Sequence, residues 1–318
     1  MTSNLALGVD VGGTKIAFGL VRPDGTTRAV EVHAVIGRGD AVVDQLVAIA
    51  RTSLDLHEIS HLGICVPGPV DTAAGAVLSA VNLGWRDLPL ADRLRTALGC
   101  EVRLSNDGHA AAWAEHRFGA GRGRDTTAVT VGTGIGGGTV VGGSSPRDSA
   151  ANGATCRSSS AALRVRRDRV LGAVRERPGT GRRSTPALDS RATSGEQVLA
   201  AAECGDRRAA EVVATVSGHL AHGLTILGAC LDPAEVVLGG GLGCDPRLVK
   251  HVRHALAEFG THVIRAQVAV TPAELGARAG LVGAADLARG QAVSCGSRPR
   301  QSRPSPVTLG RTDSQDTA

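Results

Sequence analysis

The sequence predicts an α/β protein, with room for two lobes around a cleft, and three observations carry that expectation. Short apolar runs alternate with stretches of helical periodicity, the pattern of a largely covered sheet. At 318 residues, with 42% hydrophobic and 20% charged residues, the chain can bury a sizeable core and is not wholesale disordered. A glycine cluster follows a strand in the first half, at Asp10-Val11-Gly12-Gly13-Thr14-Lys15, and another in the second half, from Gly132 to Gly138. One cluster per half suggests a duplicated lobe.

The elements follow in order. Leu5 to Val9 is an apolar strand, Ile16 to Val21 a second, and Pro23-Asp24-Gly25 a turn into a third. From Asp40 to Leu56, Val42, Val43, Leu46, Val47, Ile49 and Ala50 recur at helical spacing and share one face. His61 to Val66 is a strand closed by Pro67-Gly68-Pro69, Leu90 to Leu98 a helix, Glu101 to Leu104 a strand and Gly108 to His116 a helix. Thr126 to Val131 is a strand entering the second glycine cluster. Gly195 to Gly228 reads as one or two long helices, Val236 to Leu238 as a buried strand and Leu281 to Arg289 as a closing helix. From about Gly290, Ser, Pro, Arg and Thr dominate, and a disordered tail is expected over 290–318.

Composition narrows the function classes. Aromatics are 2% with no Tyr, which argues against base-stacking nucleic-acid surfaces. No uninterrupted run of about 18 apolar residues appears and no signal segment follows Met1, so no membrane partner and a cytoplasmic location are expected. The seven cysteines are scattered without a CxxC, as suits reduced thiols. The net charge of +5 is uneven: eleven Arg against four acids between Ser144 and Ala192, four Arg against two Asp from Gly290 onward, and a net −4 elsewhere. The basic balance therefore belongs to two segments that read as solvated chain, not to the fold.

The glycine clusters carry the chemistry. In the first, Gly12 and Gly13 would let backbone N–H groups approach phosphate oxygens, Thr14 and Lys15 would add a hydroxyl and a cation, and Asp10 could hold Mg²⁺ through water. An ordinary hairpin turn would also explain it. The spacing fits neither a Walker loop nor a dinucleotide fingerprint, and no helix follows. In the second, Gly132, Thr133 and Gly134 repeat the arrangement, so two phosphate turns would grip one nucleotide. In the third, Gly239, Gly240 and Gly241 follow a strand and would let a flat adenine approach the backbone. Asn106-Asp107 sits between a strand and a helix. Asp107 there is either an N-cap or the carboxylate that takes a proton from an acceptor hydroxyl during phosphoryl transfer.

Together these residues resemble the ROK family (repressors, open reading frames and sugar kinases), within the two-lobed actin-like, hexokinase-like ATPase fold of the ribonuclease H-like class. The carriers are Gly8 to Lys15, Gly63 to Val70, Asn82-Leu83-Gly84-Trp85, Ser105-Asn106-Asp107, Thr130 to Gly138, and Leu231-Asp232-Pro233 leading to Val236 to Gly241. The resemblance covers about 1–143 and 194–289. It implies an N-terminal lobe over 1–118, a C-terminal lobe over 119–289 whose last helix packs back on the first, and ATP with Mg²⁺ between them. It also implies a hexose, glucose foremost, held near Gly68, Asn82 and Asn106, with Asp107 as the general base. Closure of the lobes would exclude water. Repressor members carry an N-terminal winged helix, for which a first strand at Leu5 leaves no room. Relatives of this kind form dimers or tetramers, and some use polyphosphate as donor. Glucose, fructose, mannose and N-acetylmannosamine kinases share these motifs.

The resemblance breaks after Gly143. The family there carries Gly-Glu-x-Gly-His, which holds the sugar, and a Cys-x-Cys-Gly-x-x-Gly-Cys-x-Glu run that binds a structural zinc. This chain has neither, no His lies between His116 and His219, and Cys156 is the single cysteine of residues 144–190. Reverse-translated with GC-rich codons and read one base later, Leu163 to Glu176 permits Cys-Gly-Cys-Gly-x-Thr-Gly-Cys-Trp-Glu-Gln-Tyr-Ala, the missing zinc run. Ala151 to Ser158, read two bases later, permits Glu-(Trp or Arg)-Gly-His-Val-Pro-Val. Residues 144–190 thus read as translated out of frame, with the frame restored near Ser194. If the chain exists as written, the expectation is a catalytically impaired sugar- or nucleotide-binding protein. Nucleic-acid binding through the Arg-rich segment ranks last.

Overall fold

The computed structural model describes residues 5–132, 134–142, 194–259 and 269–290. Thr133, the segment read as frame-shifted and the tail expected after 290 lie outside the described residues.

The first sheet is built from β1 (Leu5–Val11), β2 (Lys15–Val21), β3 (Thr27–Ala34), β4 (Ile59–Val66) and β8 (Val102–Asn106), in the order β3-β2-β1-β4-β8. β1 and β2 form an antiparallel hairpin, while β4 and β8 continue the sheet parallel to β1. The helices α1 (Asp40–Leu56) and α2 (Leu90–Leu98) cover one face. The apolar stripe of α1 falls where its periodicity put it: Val42, Val43, Leu46, Ile49 and Ala50 are buried with Leu7, Val9, Ile16 and Phe18, and Val47 lies at the margin. A small antiparallel sheet, β5 (Val70–Asp71), β6 (Ala76–Ala80) and β7 (Trp85–Leu88), hangs beyond β4.

The second sheet repeats the pattern. β9 (Thr126–Val131) and β10 (Ile135–Val140) form an antiparallel hairpin, and β11 (Glu235–Gly239) and β12 (Ala269–Pro272) extend β9 in parallel, giving β10-β9-β11-β12. Its core joins Val129, Val131 and Leu238 to residues of α4 (Gly195–Glu203), α5 (Arg207–Leu231) and α7 (Pro246–Phe259). The short helix α6 (Gly240–Gly243) follows β11 directly. Although the chain has no uninterrupted apolar run of membrane length, α5 is long and apolar enough by length and composition to cross a bilayer. Its Val213, Leu220 and Leu224 are spent on the second core instead.

Two helices stand between the sheets. α8 (Ala279–Gly290) lies across β1 and β4, where Gly8 and Gly63 face the backbones of Leu281 and Ala284; a methyl group at either glycine would overlap them. α3 (Asp107–Phe118) packs on α8, Gly283 meeting the backbone of Ala110, and on β9 and β10 of the second sheet. Backbone-to-backbone approach of this kind is available only to glycine.

The second glycine cluster divides in two. Gly136, Gly137 and Gly138 are strand residues of β10, not turn. A Cβ on Gly108 would stand 2.6 Å from the Gly137 carbonyl oxygen, and one on Gly138 would stand 2.8 Å from the Gly108 oxygen. These glycines exist to let the head of α3 press against the second sheet. Of the described residues in the cluster, Gly132 and Gly134 alone lie outside β10, joined by a backbone hydrogen bond.

Candidate active site

The parallel strands β1, β4 and β8 run in one direction, so Asp10, the Pro67-Gly68 bend and Asn106 emerge at one edge of the first sheet. Beyond Asp10 the chain turns back into β2, with Gly12 N–H donating to the Lys15 carbonyl at 2.8 Å. Gly13, Thr14 and Lys15 are exposed at the tip. Asn82, on a short 3-10 turn (Val81–Leu83), lies over this tip: a Cβ on Gly13 would be 3.4 Å from both its Cβ and its Nδ2. The structure therefore brings the first glycine turn and Asn82 together.

Asn106 ends β8 and caps α3, its Oδ1 accepting from His109 N–H at 3.1 Å. Its Nδ2 donates to the Gly68 carbonyl and to Asp107 Oδ1, each at 2.9 Å. Both amide hydrogens are thus engaged by the protein, and Gly68, at φ +89° with its Cα tight against the Ser79 carbonyl, is the bend that presents the acceptor. Asp107 is the first helical residue, not the cap, and its Oδ1 also accepts from Gly108 N–H at 2.8 Å.

Two carboxylates gather here without a full complement of cations. Burial, and then the negative charge of Asp107, push Asp10 up to about 6, against a smaller downward pull from the Cys65 thiol and Lys15. Burial raises Asp107 too, and the Gly108 N–H and the Asn106 amide hold part of that rise back. Carboxylates crowded in this way suit a divalent cation that takes one or two of them and completes its shell with phosphate oxygens and water, so the residues fit Mg²⁺. They do not fit zinc. Among the described residues no group of three or more His, Cys, Asp or Glu could hold a metal ion.

In the second sheet, Gly132 N–H donates to the Gly134 carbonyl at 2.9 Å across a turn whose two glycines are exposed. Gly239 closes β11; Gly240, at φ +79°, lies against the backbone of Val131, and Gly241 is open to solvent. The third cluster therefore adjoins the strand end that enters the second turn. Reading the sequence alone missed two neighbours of Asp10. Cys65 had a signal, since it lies within the Gly63 to Val70 segment that pairs with β1. Gly280 had none, because α8 is remote in sequence from the first hairpin.

Comparison with known proteins gives the chain's family. The model of the ROK family matches residues 6–150 and 163–291, with its break inside the segment that reads out of frame. Over 313 residues the chain is 31% identical to a glucokinase of Streptomyces coelicolor, covering 90% of this chain and 98% of that protein. It is 34% identical over 294 residues to the bifunctional enzyme NanE/NanK of Brucella melitensis, covering 90% of this chain and 54% of that one. Among solved structures, a ROK family glucokinase from Streptomyces griseus in complex with glucose and AMPPNP superposes with a TM-score of 0.73 at 30% identity, over 90% of this chain and all of that one. The fold is the two-lobed actin-like, hexokinase-like architecture. The chain belongs to the ROK family.

Proposed function

We propose that the protein is an ATP-dependent sugar kinase whose sugar is glucose, converted to glucose 6-phosphate with Asp107 as general base. The observation that carries the reading is the Asn106–Asp107 pair at the head of α3, oriented by Gly68 and coupled electrostatically to Asp10 beside the first glycine turn. In this reading Gly12, Gly13, Thr14 and Lys15 hold phosphate from the lobe 1–118. Gly132, Thr133 and Gly134 hold it from the lobe 119–289, and Gly239 to Gly241 lie under the adenine. Asn82, Asn106 and the Gly68 bend line the sugar side. Mg²⁺, through Asp10, would neutralise charge on the phosphates. Asp107 orients the attacking hydroxyl and accepts its proton as the new P–O bond forms and ADP leaves. Burial raises its proton affinity, which suits that task, and the rest is positioning and electrostatics.

The Streptomyces relatives, named as glucokinases, support glucose, while other relatives are named as a beta-glucoside kinase and an N-acetylmannosamine kinase. A cytoplasmic homodimer or homotetramer feeding carbohydrate metabolism and glycolysis goes with this reading. A second reading rests on one observation, the missing Glu, His and zinc run of 144–190. A chain lacking them binds nucleotide but turns over little sugar, because several polar contacts worth about 0.5–1.5 kcal/mol each are gone. A coupled ADP-release assay on the chain as written and on a frame-restored chain separates the two. Phosphorylation of glucose by the restored chain, lost in Asp107→Asn, is the expected result. No phosphorylation of any hexose by the restored chain would overturn the kinase reading, and near-normal turnover by the chain as written would overturn the impaired one.

A further inference from the structure

Asp10 is held from two sides by residues that the proposed chemistry does not otherwise employ. Cys65 is its register partner on the neighbouring parallel strand β4, and Cys65 Sγ lies 3.4 Å from Asp10 Oδ1. The thiol is fully buried, clustered with Ala110 of α3 and Ala284 of α8. Facing a carboxylate oxygen, which can only accept, the thiol is the donor of this contact. The other oxygen, Oδ2, stands over the bare Cα of Gly280 in the first turn of α8, where a Cβ would overlap it. Three elements distant in sequence thus meet on one carboxylate.

We propose that Cys65 and Gly280 are positioning residues for Asp10: the thiol fixes the carboxylate's rotation through Oδ1 and the glycine leaves room for Oδ2. Asp10 then meets a cation on the bound phosphates in one orientation. The inference rests on the reading of Asp10 as the carboxylate that serves Mg²⁺. Neither residue touches substrate. Removing the thiol frees the carboxylate to turn; adding a methyl at Gly280 displaces it.

The test measures the affinity of a non-hydrolysable ATP analogue by calorimetry, with and without Mg²⁺, together with the thermal midpoint of each variant. Cys65→Ala is expected to lower the Mg²⁺-dependent gain in affinity about five-fold, the size of one weak hydrogen bond. Cys65→Ser keeps a donor and holds that gain within about two-fold. Gly280→Ala lowers it at least as far as Cys65→Ala. The metal-free affinity stays unchanged in all three, whereas a merely structural role would shift both affinities and the midpoint together. If Gly280→Ala does not fold, the contrast between Cys65→Ala and Cys65→Ser decides. An unchanged Mg²⁺ gain in Cys65→Ala, with the gain lost in Asp10→Asn, overturns the positioning role alone. An unchanged gain in Asp10→Asn overturns the reading of Asp10, and this inference with it.

Discussion

The Asn106 amide nitrogen reaches the Gly68 carbonyl and Asp107 Oδ1 at the same 2.9 Å, so one side chain ties the bend after β4 to the carboxylate at the head of α3. Its Oδ1 meanwhile caps the helix through His109 N–H. Cap and orienter are therefore one residue. Asn106→Ala is expected to cost about 1 kcal/mol as a lost cap. It should also release Asp107, lowering kcat of the frame-restored chain by about 10²-fold with little change in nucleotide affinity. Asp107→Asn is expected to lower kcat further, by about 10³-fold, while leaving the unfolding free energy from urea titration within about 1 kcal/mol of the parent. A kcat loss matched by an equal loss of nucleotide affinity would count against the base assignment.

Asp10 makes stability depend on pH in a stated direction. Its folded value near 6 stands above the 3.8 of an unperturbed carboxyl, so the folded state holds the proton more tightly than the unfolded state. The stability this contributes is fully present below about pH 4 and is lost as pH rises through about 6. The shift corresponds to about 3 kcal/mol. Without nucleotide or Mg²⁺, Asp10→Asn is therefore expected to melt higher than the parent at pH 7.5, with the advantage shrinking toward pH 4.5. Melting curves across that range check it, and a variant less stable than the parent at pH 7.5 would contradict it.

How far the sequence reached can be traced residue by residue. The boundaries of α1, α2 and β9 were readable because local periodicity and tertiary burial agree there. β10 was read as turn because Ile135-Gly136-Gly137-Gly138 has almost no side-chain pattern. Its glycines answer to a helix head nearly thirty residues earlier, which periodicity cannot register. The pairing of Asn106 with Asp107 was legible, but not the division of labour between them, because which residue caps depends on where the helix begins. The contact of Gly280 with Asp10 joins opposite ends of the chain and leaves no local trace.

Glu115 marks a second structural device. It is 1% exposed and accepts three backbone N–H groups, from Ala120 at 2.9 Å, Glu274 at 3.2 Å and Leu275 at 2.9 Å. It thereby ties the end of α3 to the segment that leads into α8, the two helices standing between the sheets. Glu115→Ala leaves buried donors unmatched and is expected to cost about 3–5 kcal/mol. Glu115→Gln keeps one acceptor oxygen and should cost about half as much. Urea unfolding of both variants tests the assignment; equal and small losses would mean the three N–H groups find other partners.

The break after Gly143 yields the most decisive measurement. Two separate stretches, Ala151 to Ser158 and Leu163 to Glu176, each permit the expected family motif when read in another frame, and they require different offsets. A genuine insertion has no reason to encode both, since the residues written largely set two bases of every shifted codon, the first and third at the one-base offset and the second and third at the two-base offset. Sequencing the coding DNA across codons 140 to 195 is expected to return bases that restore Gly-Glu-x-Gly-His and the cysteine run. The restored protein should then bind about one zinc per chain, as three cysteines and a histidine of that spacing do. DNA that confirms the written chain, together with peptides spanning Cys156 to Arg183, would make the frame change a real mutation or the segment a true insertion. Asp107, the proposed base, would then remain beside the first glycine turn in a protein without the carboxylate and imidazole that the family resemblance leads one to expect.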